Sequence, residues 1–189
     1  MNAIVGDGAG DFRTALESLR ELRVRPEILL EEAPAPQRLA PYAIALSAEV
    51  VVDDAELATG RFVVLHDPDG QEGWAGSFRV VAFVKATLEP EMAADPMLAE
   101  VGWSWLVEAL VGADAGYDNI SGTVTRVTSE SFGGLSDRPL EGQVEIRASW
   151  TPRDAHLGAH ALAWADVLAQ SAGLVPLPAG VAQLPRPRG

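Results

Sequence analysis

Every second residue from Phe78 to Leu88 is apolar: Phe78, Val80, Ala82, Val84, Ala86 and Leu88. This period of two places all six side chains on one side of an extended chain and does not fit a helix, whose apolar positions recur every three or four residues. Two more stretches share the period. In 42–52, Ile44, Leu46, Ala48, Val50 and Val52 alternate with Ala45, Ser47 and Glu49. In 143–150, Val144, Ile146, Ala148 and Trp150 point inward while Gln143, Glu145, Arg147 and Ser149 point outward. A chain with three such strands buries one face of a sheet. Residues 61–66 ("RFVVLH") are apolar on both sides. The connections "DDAELATG" and "DPDGQEGWAG" are short and rich in turn residues, so the first three strands form an antiparallel meander.

Helical spacing marks three other segments. From Asp11, a capping residue, Phe12, Ala15, Leu16, Leu19 and Leu22 fall on one face until Pro26 ends the pattern. Asp95 and Pro96 open a second helix whose buried stripe runs through Leu98, Trp105 and Ala109 to a stop at Gly112. A third covers roughly 153–172, with Leu157, Ala161, Trp164 and Leu168 as its stripe and Gly173 as its stop. "PEILLEE" is a short extended piece, and "APAPQRLAP" runs extended over the surface because its prolines suit neither helix nor central strand. The expected domain is a single unit over 11–173, preceded by a flexible lead at 1–10 and followed by a Pro-rich extended tail at 174–189. Its class is α+β: a mainly antiparallel sheet of about five to six strands with three helices, in the order α-βββ-α-ββ-α. That order is similar to the type III secretion chaperone-like fold, a likeness of topology alone.

Charge narrows the partners. The chain carries 27 Asp and Glu against 14 Lys and Arg, and residues 26–150 alone hold 21 acids against seven bases. Such a body repels phosphate backbones, so no direct nucleic-acid binding is expected. The absence of cysteine removes disulfides, thiolate metal sites and a cysteine nucleophile, and suits the cytoplasm. No signal-peptide pattern opens the chain, and its apolar runs fall far short of the ~20 residues that span a bilayer. The expectation is a cytoplasmic protein with no membrane partner.

The densest chemistry lies in "HDPDGQEGW", residues 66–74. Asp67-Pro68-Asp69-Gly70 follows turn chemistry, whereas a calcium loop would need a ligand at Gln71 and a carboxylate at Phe78. His156 and His160 have the spacing of a metal pair on a helix, but His160 lies on the apolar stripe beside Leu157 and Trp164, which suits a hydrogen-bonded core histidine. Ser129 and Ser131 lack the G-x-S-x-G elbow and a local base. The glycine pairs lack phosphate-loop spacing. Trp105, Trp150 and Trp164 read as core, and Trp103 as partly exposed. No cofactor and no metal is expected from any of these.

One strand departs from the pattern. Residues 123–132, "TVTRVTSESF", have few apolar side chains on either side. Two readings are open: an edge strand protected by charge, or a strand lining a polar groove that receives a partner. On the second, Arg126, Thr128 and Glu130 share one side of the strand and form the contact, with Arg38 of the Pro-rich segment as a second anchor. The function favoured by the missing catalytic set is a non-catalytic interaction or accessory module with a protein partner, and a homodimer is compatible with it. The competing reading is an enzyme in which Glu130, Glu145 and Asp67 converge around a divalent cation.

Five stretches, "EEAPAPQRLAPYA", "LHDPDGQEGW", "VGWSWLVEAL", "SGTVTRVTSESFGG" and "VEIRASWTP", together resemble an actinobacterial family, the domain of unknown function 3000. The resemblance runs over about residues 11–178. It implies no activity, ligand or site residue. It does imply a gene neighbour, a ribonuclease D-like exonuclease, and through it a partner in RNA processing.

Overall fold

The computed structural model describes residues 8–176. Most of the expected lead and tail, residues 1–7 and 177–189, lies outside the described residues. The order is α1 (Gly8–Arg20), β1 (Ile28–Ala33), β2 (Tyr42–Val52), β3 (Ala55–His66), β4 (Phe78–Leu88), α2 (Pro90–Ala94), α3 (Leu98–Gly112), β5 (Tyr117–Ser129), β6 (Glu141–Pro152) and α4 (Leu157–Ser171). The six strands form one antiparallel sheet in the order β1-β2-β3-β4-β6-β5. The α+β class and the antiparallel sheet are as the alternating patterns require.

The differences are local and have physical causes. "PEILLEE" is not free-running: Ile28–Ala33 pairs with β2 as an edge strand. The connection before β3 is only Asp53 and Asp54, both at positive φ (50° and 63°). That two-residue geometry matches the twist of a hairpin, so "AELATG" extends β3 instead of looping. Likewise β5 starts at Tyr117, because a register shift between Asp118 and Ser121, with Asn119 at φ 51°, carries the strand through a segment that reads as a loop. The helix expected from Pro96 is preceded by a separate short α2, so the described residues hold four α-helices where three were expected. The N-cap of α3 is Met97 rather than Asp95: Asp95 ends α2, and its carboxylate accepts the Met97 N–H at 2.9 Å in the turn between the two helices. The buried line of α3 is Leu98, Gly102, Leu106 and Leu110, and Trp105 is only half-buried.

All four helices pack on the face that carries Phe62, Val80, Val84, Ile146 and Trp150. Helix α4 lies deepest. Leu157, Ala161, Trp164 and Leu168 are fully buried, and the Trp164 indole donates to the Phe83 carbonyl at 3.1 Å. The helix lies so near β3 that a Cβ on Gly60 would stand 2.9 Å from Leu168, Trp164 and the Phe83 carbonyl. At the edge, Trp103 covers Gly122 in the same way, with Cζ3 2.7 Å from where a Cβ would be. Two histidines belong to this core. His160 accepts the Trp150 indole N–H at 3.0 Å. His66 is fully buried, with its ring nitrogens 3.1 and 3.0 Å from the Ser77 and Gly8 carbonyls and its ring stacked 4.1 Å from Phe78.

The opposite face is covered only in part. Ala45, Val63 and Leu65 are buried there beneath Ala33, Ala35 and Ala40 of the Pro-rich segment and beneath Trp74. This explains why "RFVVLH" is apolar on both sides: its outward residues meet a strap of loop rather than water.

Candidate surface on the open sheet face

Among the described residues the outer face is open across much of the sheet, and the ladder registers assemble its centre on β3, β4 and β6. Directly paired residues share a face of a sheet. Arg61 pairs with Phe83, and Phe83 with Arg147, so one row reads Arg61–Phe83–Arg147. Two residues along β4 in one direction is Lys85, opposite Glu145. Two in the other is Val81, 42 % exposed, opposite Ser149. Arg79 completes the column, donating to Ser149 Oγ at 2.7 Å, Thr151 Oγ1 at 3.0 Å and the Asn119 carbonyl at 2.9 Å. Partial burial lowers the Arg79 pKa from its ordinary value.

Four of the seven cations in residues 26–150 therefore lie on one face, in a stretch rich in acids. Their pairing is incomplete. Glu145 turns from Lys85 to Arg147, forming an ion pair at 2.9 Å, and the Arg147 guanidinium lies 5.3 Å over the Phe83 ring. Arg61 donates to the Pro34 carbonyl and Arg79 only to neutral oxygens. Among the described residues, neither of these arginines nor Lys85 has a carboxylate within ion-pair distance. What the surface offers chemically is unpaired positive charge around an aromatic and a branched apolar side chain.

The four residues expected to form a contact are not brought together. β5 is the outer strand of the sheet. Arg126 and Thr128 register with Val144 and Gly142, which puts them on the helix side, and Glu130 lies beyond the last strand residue. Arg126 donates to the Asp95 carbonyl at 2.7 Å and ties the edge strand to the α2–α3 connection. Arg38 is exposed, at φ 71°, on the strap near the other edge, with the remaining strands between. Removing the Arg126 guanidinium in Arg126→Ala should cost about 1 kcal/mol, one modest hydrogen bond. Arg38→Ala, which breaks no contact of this kind, should cost under about 0.5 kcal/mol. Urea midpoints of the two variants test this, and the reverse order would contradict the tie.

The remaining sequence candidates resolve into structure. Asp67 Oδ1 accepts the Asp69 N–H at 3.1 Å, Gly70 N–H bonds the Asp67 carbonyl at 2.9 Å, and Gly70 has φ 72°: a turn. Asp67, opposite Ser77, and Glu145, opposite Lys85, stand about eight residues apart along the register of β4, roughly 26 Å. Glu130 is past the far end of β5, so the three acids do not converge. Among the described residues, no three His, Asp or Glu side chains form a metal-holding group. His156 precedes α4 and is exposed, 3.5 Å from Asp154, whereas His160 is buried, so the two do not face a common point. Ser129 is exposed at the end of β5. Among the described residues, no helix is long and apolar enough to cross a membrane.

Residues 9–182 match the model of a family described as a protein of unknown function, DUF3000. The chain belongs to this family. No curated protein and no solved structure matches it. The DUF3000 match takes in every strand and all of the open-face residues, so the cationic surface is part of the domain the family defines. A signal for this surface was present in the sequence: Val81 and Phe83 are apolar at outward positions of β4, where an amphipathic strand carries polar side chains.

Proposed function

We propose that this DUF3000 protein is a non-catalytic interaction module that presents its open sheet face to a protein partner. One observation carries the reading: four cations are gathered around Phe83 and Val81 on a face that, among the described residues, no helix covers, and three of them have no carboxylate at ion-pair distance there. Surfaces that bind combine arginine, aromatic and apolar side chains in this way. The acidity of the rest of the chain disfavours nucleic acid as the occupant. The ribonuclease D-like enzyme implied by the family resemblance is the first partner to look for, and cytoplasmic residence accords with it.

The test is a photo-crosslinking residue at Val81, introduced into the full chain in cells, with Val111 on α3 (69 % exposed) as the control position. The expected result is a crosslinked product with a second polypeptide from position 81 and not from position 111. No product from Val81, or the same product from both positions, would remove the reading.

A further inference from the structure

The chemistry of the partner can be taken further, resting on the reading that the open face is a docking surface. We infer that this face receives an extended acidic peptide segment in which two carboxylates, about four residues apart, flank an apolar side chain midway between them.

The geometry of the row sets the spacing. Arg61 and Arg147 lie on strands either side of β4, so their backbones are about 10 Å apart, with Phe83 midway. An extended chain advances about 3.3 Å per residue with successive side chains on opposite sides, so residues i and i+4 share a side about 13 Å apart, within reach of the two long arginine side chains, and i+2 lies between them. The side chain between them meets Phe83 and Val81. Lys85, about 7 Å further along β4, takes a third carboxylate. Arg79 is held by neutral oxygens and serves as fixed positive potential behind the row.

Complementarity separates this occupant from the others. A second copy docked face to face would set Arg61, Arg79, Lys85 and Arg147 against the same four charges, which opposes association. The chain's own residues 177–189 hold Arg186 and Arg188 and no acidic side chain, so they do not match the surface. A single-stranded nucleic acid needs free aromatic faces for its bases. Phe83 is the aromatic residue of the row, and Arg147 already lies over its ring. The body's surplus of acids also repels a phosphate chain, whereas a short peptide brings only a few charges.

The experiment uses the full chain and a fluorescein-labelled dodecapeptide of three Glu-Ser-Leu-Ser repeats. Fluorescence anisotropy in low salt should show saturable binding that weakens at least about tenfold at physiological salt. Binding should fall at least about tenfold in the triple variant Arg61→Gln, Lys85→Gln, Arg147→Gln, and for the peptide with every Glu replaced by Gln. The same variant should unfold at an unchanged temperature within a few degrees, showing that the loss is not one of folding. If it does not fold, Lys85→Gln alone decides the point, because among the described residues that ammonium has no ion-pair partner to lose. Absence of peptide binding, or equal binding by the variant, overturns the inference. So does tighter binding of an oligo-deoxythymidylate of the same length, which would assign the face to nucleic acid, or dimerisation through the face by sedimentation. A crosslink from Val81 without binding of the acidic peptide would leave the docking surface standing with a partner of other chemistry. Failure of both would remove the surface itself.

Discussion

Replacing Trp164 by alanine should cost about 3–5 kcal/mol, the range for emptying a buried tryptophan site. The indole is fully buried between α4 and the sheet, its ring 5.5 Å from Phe62. Its neighbourhood cannot close around the void, because Gly60 has no side chain to move in and Leu168 is already in contact with the backbone there. The substitution also removes the N–H that the Phe83 carbonyl accepts. Trp164→Phe keeps most of the ring and should recover about half of the loss, and Trp105→Ala, at a half-buried site on α3, should cost less than Trp164→Ala. Urea unfolding of the three variants measures this. A loss under about 1.5 kcal/mol for Trp164→Ala would mean that α4 is not the element that closes the core.

The second large effect is on pH dependence. Burial pushes the His160 pKa down from 6.5 to about 4, against a smaller opposing pull from Asp154. Between those values the unfolded chain holds a proton that the folded chain refuses. Stability therefore rises with pH across that window and is lost as pH falls from 6.5 towards 4, by about 3 kcal/mol in all. His160→Gln keeps an oxygen to accept the Trp150 indole N–H and removes the titration. The stability difference between wild type and this variant should therefore shrink as the pH falls from 7 to 4. Burial raises the Asp166 carboxyl, which favours the folded state in acid and loses that effect as pH rises, but it is common to both proteins and cancels in the comparison. A difference independent of pH would show that folding does not shift the His160 pKa.

How much of this is legible in the chain follows from the reach of each signal. β2, β4 and β6 announce themselves through alternation, because one face of each is fully apolar over several residues. The first half of β3 is silent: Ala55–Gly60 is small and polar, and nothing in Asp53-Asp54 shows locally that the turn is only two residues. The first part of β5 is hidden by its bulge at Asn119. The polarity of β5 is legible, and its cause is the edge position that sheet order confers. The open face could not be assembled from spacing. Arg61 and Arg147 are far apart in the chain and become neighbours of Phe83 only because β6 inserts between β4 and β5. The alternation at Val81 and Phe83 pointed to the face, but only the ladder registers place the cations on it.

The position of α4 has a consequence in time. It follows all six strands in the chain, yet Leu157, Trp164 and Leu168 are what the sheet's apolar face packs against. During synthesis the meander emerges before α4 can shield its face, whereas α2 and α3 are made ahead of β5 and β6 and pack against that end of the sheet. Helix α1 is made early, but it docks against α4 itself, where Ser18 Oγ accepts the Gly158 N–H at 3.1 Å. A nascent chain ending at Pro152 therefore holds all the described strands and lacks the helix that covers β3 and β4. Folding is completed from the C-terminal side, and a stalled or truncated chain presents a broad adhesive sheet to its neighbours until α4 has left the ribosome.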